Sequence, residues 1–263
     1  MGKDRGFTLV EILFALFVGL MLLGATYVAM TSGHQSSASV ERKVAAQQDI
    51  RAALQTMGME IAMASYNPHY MGNLWTDLPA VGGGTQVSCS GSANQTFKGI
   101  REATPTSITV EMDTGENNQV GDTVGEIIRY SYDSANQLIT RETPVCGNSR
   151  NAADGQAFLG EDPATGLPRT VRVINNNPAN SARNIVNGHG AVAVFRYYNG
   201  KTDALNPYGT EIYPGENSAV IPQIRRIDII LAVETNEVEP TTRARRQMTY
   251  STSMLVRNHV LSQ

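Results

Sequence analysis

The chain has 263 residues, a formal net charge of −3 and two cysteines. A mildly acidic chain has no general attraction for nucleic acid, so DNA and RNA are not expected as partners. About 200 residues follow the apolar N-terminal segment, which is enough for one domain with its own core.

The apolar segment lies close to the N-terminus. Residues 7–30 are apolar except for Thr8, Glu11 and Thr26. As an α-helix the segment would be about 36 Å long, enough to cross a hydrocarbon core of about 30 Å. A secretory signal peptide is disfavoured, because the apolar run is too long and no small-residue cleavage site follows it cleanly. An ordinary membrane anchor and a helix with a further role remain.

The carboxylate of Glu11 needs an explanation, because a charge at the membrane centre costs about 2.5–3.5 kcal/mol. One explanation is local. Thr8 and Glu11 have the spacing of a capping box, and an acidic first turn suits the helix dipole. The other explanation is functional, since charges inside membranes commonly mark a site of interaction. The residue pattern by itself leaves both open.

The run Gly6-Phe7-Thr8-Leu9-Val10-Glu11 follows a short leader that contains Lys3 and Arg5. It resembles the processing motif of type IV prepilins and of type II secretion pseudopilins. The resemblance implies that residues 1–6 are a leader, and that a prepilin peptidase cuts between Gly6 and Phe7 and methylates the new amine of Phe7. The basic leader would stay in the cytoplasm, which places the head domain in the periplasm.

This resemblance gives Glu11 a role in assembly. Cleavage would create a positive amine on Phe7 at the end of an apolar helix. A Glu11 carboxylate on a neighbouring subunit would pair with that amine, because neither charge is stable alone in lipid. Residues 7–30 would then serve both as a transmembrane helix in the inner membrane and as an assembly helix.

A second helical pattern follows the membrane segment. Residues 31–39 are polar and contain Gly33, where we expect the helix to loosen. A mostly apolar stripe then recurs at alternating spacings of three and four: Val40, Val44, Gln47, Ile50, Leu54, Met57, Ile61 and Ala64. The stripe predicts an amphipathic continuation over residues 31–66 that ends at Asn67-Pro68 and packs against a sheet. One helix would therefore run from about Phe7 to Tyr66.

Residues 67–263 are predicted to form a β-rich head. Period-two patterns bounded by turn residues predict strands at 107–112, 126–132, 138–142, 170–174, 191–198, 226–234 and 248–256. The last two form the most secure hairpin. Long loops are expected at 69–99, 148–169, 175–184 and 201–218. The fold class is α+β, and the resemblance implies a pilin-like fold in which the long N-terminal helix packs on an antiparallel sheet.

The two cysteines, Cys89 and Cys146, belong to no CxxC motif. Beyond a membrane span, in a compartment that oxidises thiols, they favour one disulfide over two buried thiols. The loop that it closes would be long, with a chain-entropy contribution of about 4 kcal/mol. Trp75 could be a core residue or an exposed contact.

Signals for catalysis are missing. The histidines His34, His69, His189 and His259 are scattered without metal-ligand spacing, and no nucleophile motif is present. The loop from Asp113 to Asp122 offers oxygen ligands for calcium, but a solvated turn is the simpler interpretation. The basic run Arg243, Arg245 and Arg246 favours a strand edge that is blocked by charge over a DNA contact. We expect no enzyme, no metal and no cofactor.

A weaker resemblance covers residues 186–258. The run Val194-Phe195-Arg196-Tyr197-Tyr198-Asn199-Gly200 and the strands around Ile227 and Met254 are similar to the C-terminal strands of J-type pseudopilins (GspJ-like) and PilW-type minor pilins. It implies a minor pilin of a type IV pilus, in a priming or tip complex with other minor pilins and the major pilin. A J-type pseudopilin of a type II secretion system is the first alternative. A single-span membrane protein with an adhesive β domain is the second.

Overall fold

The fold is described from a computed structural model of the chain. It describes residues 7–76, 86–87, 95–150, 155–160, 170–175, 192–202, 204–207, 209–239 and 242–261. Gly6, Cys89 and His189, with the rest of the leader, lie outside the described residues.

One helix, α1, runs without interruption from Leu9 to Ala62 over 54 residues. The expected loosening at Gly33 is wrong, because glycine and serine cost a helix less than about 1 kcal/mol each and the hydrogen-bonded ladder continues through them. The helix ends at Ala62, before the predicted Tyr66. The N–H of Ala64 turns back to the carbonyl of Ile61 at 3.0 Å, and Ser65 adopts a φ of +66°.

The first sheet is a five-stranded antiparallel meander in the order β1-β2-β3-β4-β5. Its strands are β1 Ile100–Ala103, β2 Ser107–Glu111, β3 Ile127–Asp133, β4 Leu138–Glu142 and β5 Gln156–Leu159. Three of these strands were predicted from their alternation. β5 lies within the loop expected at 148–169, so that prediction is wrong. β1 begins just after the loop expected at 69–99 and was not predicted. Each of these strands has only four residues and is held by pairing with its neighbour.

The second sheet has the order β10-β9-β7-β8, with β6 beside β9. Its strands are β6 Val171–Val173, β7 Phe195–Asn199, β8 Glu211–Ile212, β9 Ile224–Thr235 and β10 Gln247–Leu255. The predicted hairpin is present as β9 and β10, in register over nine residue pairs. β8 lies within the predicted loop at 201–218, and a short helix, α2 Asn258–Leu261, follows β10.

The core lies where α1 meets both sheets. Six helix residues face it: Ala46, Ile50, Ala53, Leu54, Met57 and Ile61. The predicted stripe began too early, since Val40 is 58% exposed and Val44 is 44% exposed. The head therefore covers only the last third of the helix.

A smaller hydrophobic cluster forms a second core in the head. It contains Leu74, Trp75, Val87, Val120 and Ile127, with Cys146 packed against it. Trp75 is therefore a core residue, 3% exposed. The fold is α+β and pilin-like: a long N-terminal helix on antiparallel sheets.

Candidate functional site: the assembly helix

The first part of α1 is apolar and touches nothing in the described chain. Every large apolar side chain from Phe7 to Met30 is exposed, from 38% at Val18 to 83% at Phe7. By length and composition the helix is able to cross a membrane, and its most apolar window has no buried residue. An apolar surface of this size requires lipid or other helices around it.

Glu11 closes a capping box at the start of this helix. Its Oε2 accepts hydrogen bonds from the backbone N–H and the hydroxyl of Thr8, both at 3.2 Å, while its own N–H donates to the Thr8 hydroxyl at 3.3 Å. The local explanation for Glu11 is thus realised within a single chain. The carboxylate sits one turn from Phe7, whose amine would become free after cleavage. The pairing of Glu11 with the Phe7 amine of a neighbouring subunit stays a prediction.

Surface contacts attach the head to the helix at the end that is nearer the apolar segment. Arg42 Nη1 lies 2.8 Å from Glu237 Oε2, and the Ser39 hydroxyl donates to Glu239 Oε1 at 3.0 Å. Both acids belong to the turn between β9 and β10. The ion pair is about half exposed, so it contributes less than about 1 kcal/mol and mainly orients the turn.

A partly buried network of hydrogen bonds attaches the head to the C-terminal end of α1. Glu60 on α1 accepts two hydrogen bonds from the Arg141 guanidinium of β4, at 2.7 and 3.1 Å, and a third from the Tyr130 hydroxyl of β3. Burial and the bond to Glu60 raise the pKa of the Tyr130 hydroxyl, which therefore stays a donor. The contact therefore joins the helix to two strands of the first sheet.

Comparison with known proteins bears on the N-terminus alone. The family model for the prokaryotic N-terminal methylation motif matches residues 1–27. The N-terminus is that of a type IV pilin-like protein. This prepilin-type motif implies processing by a prepilin peptidase, membrane anchoring and assembly with other pilins or pseudopilins. Neither a curated protein nor a solved structure matches the chain.

The predicted disulfide between Cys89 and Cys146 would lie in the head. Cys146 is disulfide-bonded, and the only other cysteine of the chain, Cys89, lies outside the described residues. Gln86 forms an antiparallel bridge with Ser149, and the N–H of Val87 donates to Asn148 at 3.0 Å. The pairing of Cys146 with Cys89 stays a prediction.

The loop considered for calcium is built from hydrogen bonds to the backbone. Glu126 accepts from the N–H groups of Gly115 and Gly121, both at 3.0 Å, and Asp113 accepts two further N–H groups of the loop. Burial raises the pKa of the Glu126 carboxyl. Within the part of the chain that the structure describes, no three His, Cys, Asp or Glu side chains converge as metal ligands.

Sequence reasoning missed a buried serine–histidine pair near the C-terminal end of α1. The hydroxyl of Ser65 lies 2.8 Å from Nδ1 of His259 in α2, and Nε2 of His259 lies 3.0 Å from the Ile221 carbonyl. Ser65 also donates to the carbonyl of Lys98. The serine is 2% exposed and the histidine 0%, which leaves a substrate no approach to the hydroxyl. The pair clamps the C-terminal helix onto the turn that follows α1.

We expect this clamp to weaken in acid. Burial lowers the pKa of His259 below the ordinary value of 6.5, and the nearby Arg225 and Lys98 cations lower it further. Because the folded-state pKa is the lower one, His259 contributes stability above about pH 6.5 that is lost as the pH falls toward the folded-state pKa. Urea unfolding of the detergent-solubilised chain between pH 7.5 and 5 should show a falling free energy of unfolding.

The control for this prediction is His34→Gln, at an exposed position of α1. It should keep the pH dependence of the unmodified chain, whereas His259→Gln should flatten it even if the variant is less stable at every pH. An equal slope in the chain with and without His259 would contradict the assignment.

Proposed function

We propose that this protein is a minor pilin of a type IV pilus, which assembles through its N-terminal helix into a priming or tip complex. The observation that carries the proposal is an apolar helical segment, exposed over residues 7–30, that follows a prepilin-type cleavage motif. The mechanism is binding and assembly rather than catalysis. The helix supplies the contact surface, and the head supplies specificity.

The part of α1 that carries the head supports assembly through the helix. Its exposed side has a stripe of uncharged residues spaced by three and four: Gln48, Ala52, Gln55 and Met59, with the exposed Met63 just beyond the end of the helix. The charged residues of this part, such as Asp49 and Arg51, lie to the sides of the stripe. A solvated helix face is normally charged, so an uncharged stripe that continues the membrane segment favours contact with another helix.

The size of the head supports a place at the end of a filament. The described part of residues 67–263 forms two five-stranded sheets, and long stretches of chain join several of their strands. Such a unit is accommodated more easily once, at a tip, than repeated along a filament. The proposed partners are the prepilin peptidase, other minor pilins, the major pilin and inner-membrane lipid. The mature head would lie in the periplasm and move to the pilus after assembly.

Mass spectrometry of the N-terminal peptide from cells with a prepilin peptidase tests the proposal. We expect a chain that begins at Phe7 and carries one added methyl group. A mature chain that still contains Lys3 and Arg5 would contradict the proposal and would favour a plain membrane-anchored β domain.

Deletion of the gene separates the pilus from the secretion alternative. Loss of surface pili and of twitching with normal protein export supports the minor pilin. Loss of exoprotein export with normal pili would instead assign the chain as a J-type pseudopilin, because both systems use the same N-terminal motif.

A further inference from the structure

The strand β10 forms one edge of the second sheet. It pairs with β9 on one side over nine residue pairs, from Gln247 opposite Glu234 to Leu255 opposite Arg226. On its other side, no strand pairs with it among the residues that the structure describes. Three of its central side chains, Thr249, Ser251 and Ser253, are exposed.

The hydrogen bonds at the two ends of the hairpin show which backbone groups point away from β9. The N–H of Thr235 donates to the carbonyl of Arg246 at 2.9 Å, and the N–H of Val256 donates to the carbonyl of Arg225 at 3.0 Å. Hydrogen-bonded pairs alternate along an antiparallel ladder, so even-numbered residues of β10 bond to β9. The N–H and C=O groups of the odd-numbered residues, including Thr249 and Ser251, therefore point outward.

This edge lacks the features that normally prevent strands from pairing with other chains. Proteins protect long edges with charges, proline or bulges. β10 contains no charged residue and no proline, and its register with β9 is unbroken. The basic run that was expected to block the edge comes just before the strand. Arg243 and Arg245 lie in the turn, where Arg245 Nη1 is 3.4 Å from Glu234 Oε1, and the exposed Arg246 directly precedes Gln247.

The anchor helix restricts which strand could pair with this edge. The turn before β10 contacts α1 at Arg42, while Leu255 at the end of β10 lines a groove with Ala62. β10 thus runs away from the membrane. A two-fold pair of β10 strands would set two α1 helices antiparallel, and one of them would then leave the membrane. An antiparallel partner must be a strand that descends toward the membrane.

A second copy of this chain offers only short strands of that kind. Its descending edge strands in the described residues are β1 and β5, with four residues each, and β8, with two. A four-residue strand would leave more than half of the nine-residue edge uncovered. The occupant that fits is a longer descending edge strand from a different subunit.

We propose that the outer edge of β10 binds, by antiparallel strand addition, a descending edge strand in the head of a different pilin-like subunit. The inference rests on the proposed function, because helix bundling in one membrane brings that head alongside β10. Backbone hydrogen bonds supply the affinity, and the alternating side chains of the incoming strand supply the specificity.

Site-specific photocrosslinking in the native cells tests this inference. A benzophenone amino acid replaces Thr249 on the edge strand or, as a control, the exposed Lys201 in the loop after β7. We expect the Thr249 position, but not the Lys201 position, to give an adduct with another protein that has a prepilin motif. Mass spectrometry identifies the crosslinked chain.

A second substitution in the same chain tests the role of the backbone. Ser251→Pro removes an outward N–H and spares the ladder to β9, so it should lower the adduct yield about ten-fold. Ser251→Ala keeps the N–H and should leave the yield unchanged. If thermal unfolding shows that the proline variant does not fold, Ser251→Lys replaces it as a charged block of the edge and should lower the yield similarly.

The outcomes separate this inference from the proposed function. An adduct within the same chain, an adduct with a second copy, or no adduct from a chain that still co-purifies with other pilins would overturn the strand pairing and leave the minor pilin proposal standing. An uncleaved leader with no pilin partners would overturn the proposed function itself.

Discussion

Glu11→Ala is expected to leave insertion into the inner membrane intact and to reduce incorporation into filaments roughly 100-fold. In the assembled state the Glu11 carboxylate would pair with the methylated amine of Phe7 on a neighbouring subunit, inside lipid. Removal of one partner of a buried pair leaves the other charge uncompensated and costs about 3–5 kcal/mol, and each 1.4 kcal/mol is a factor of ten. Glu11→Gln should behave similarly, because it also removes the charge.

The matched control is Thr8→Val, which removes the hydroxyl of the capping box and keeps the carboxylate. Loss of an N-cap side chain costs about 1 kcal/mol, so Thr8→Val should lower incorporation far less than Glu11→Ala. Incorporation is measured by immunoblotting of sheared filaments against the membrane fraction. Equal losses in the two variants would assign Glu11 to helix capping alone, and normal incorporation of Glu11→Ala would refute the pairing.

Cys146→Ser is expected to lower the free energy of unfolding by about 4 kcal/mol, the chain-entropy contribution of a long disulfide loop. Cys146 adjoins the smaller core, and its N–H donates to the carbonyl of Gly121 at 2.6 Å. Loss of the bond therefore also loosens the packing around Trp75. We expect the head to become sensitive to protease at the growth temperature, because a loss of this size is a large part of a typical domain's stability.

The matched set is Cys89→Ser, Cys146→Ser and the double variant. Each single variant and the double variant remove the same bond, so their unfolding free energies should agree and the double variant should add no further loss. Urea unfolding of the purified chain and non-reducing mass spectrometry measure this. Two free thiols in the mature protein, or losses that add between the two sites, would contradict the pairing of Cys89 with Cys146.

Local periodicity predicted the parts of the fold that are long and regular. The continuous apolar run and the spacing of three and four residues indicated α1, and the alternation in residues 226–234 and 248–256 indicated the β9–β10 hairpin. The polar segment around Gly33 led to the wrong prediction that the helix loosens there. A weak local preference is overridden in a long helix with a continuous hydrogen-bonded ladder. The short strands β1 and β5 have no period of their own, since pairing with β2 and β4 holds them.

Only the part of the candidate site that is contiguous in the chain was predicted, for the same physical reason. The residues around Glu11 are contiguous in the chain, so the motif was readable and the capping box followed from its spacing. Glu60, Tyr130 and Arg141 are far apart along the chain and meet only because the helix packs across β3 and β4. The clamp at His259 likewise depends on the position of α2, for which the sequence offered no local pattern.

An apolar N-terminal helix with an acid near its start, followed by a β-rich head, is encoded locally in the sequence. These features depend on hydrophobicity and period, which act between near neighbours. The point where the head begins to cover the helix, the burial of Trp75 and the unprotected edge of β10 are set by the tertiary structure. Those properties depend on contacts and on hydrogen-bond register between segments that are distant in the chain, and no local pattern encodes them.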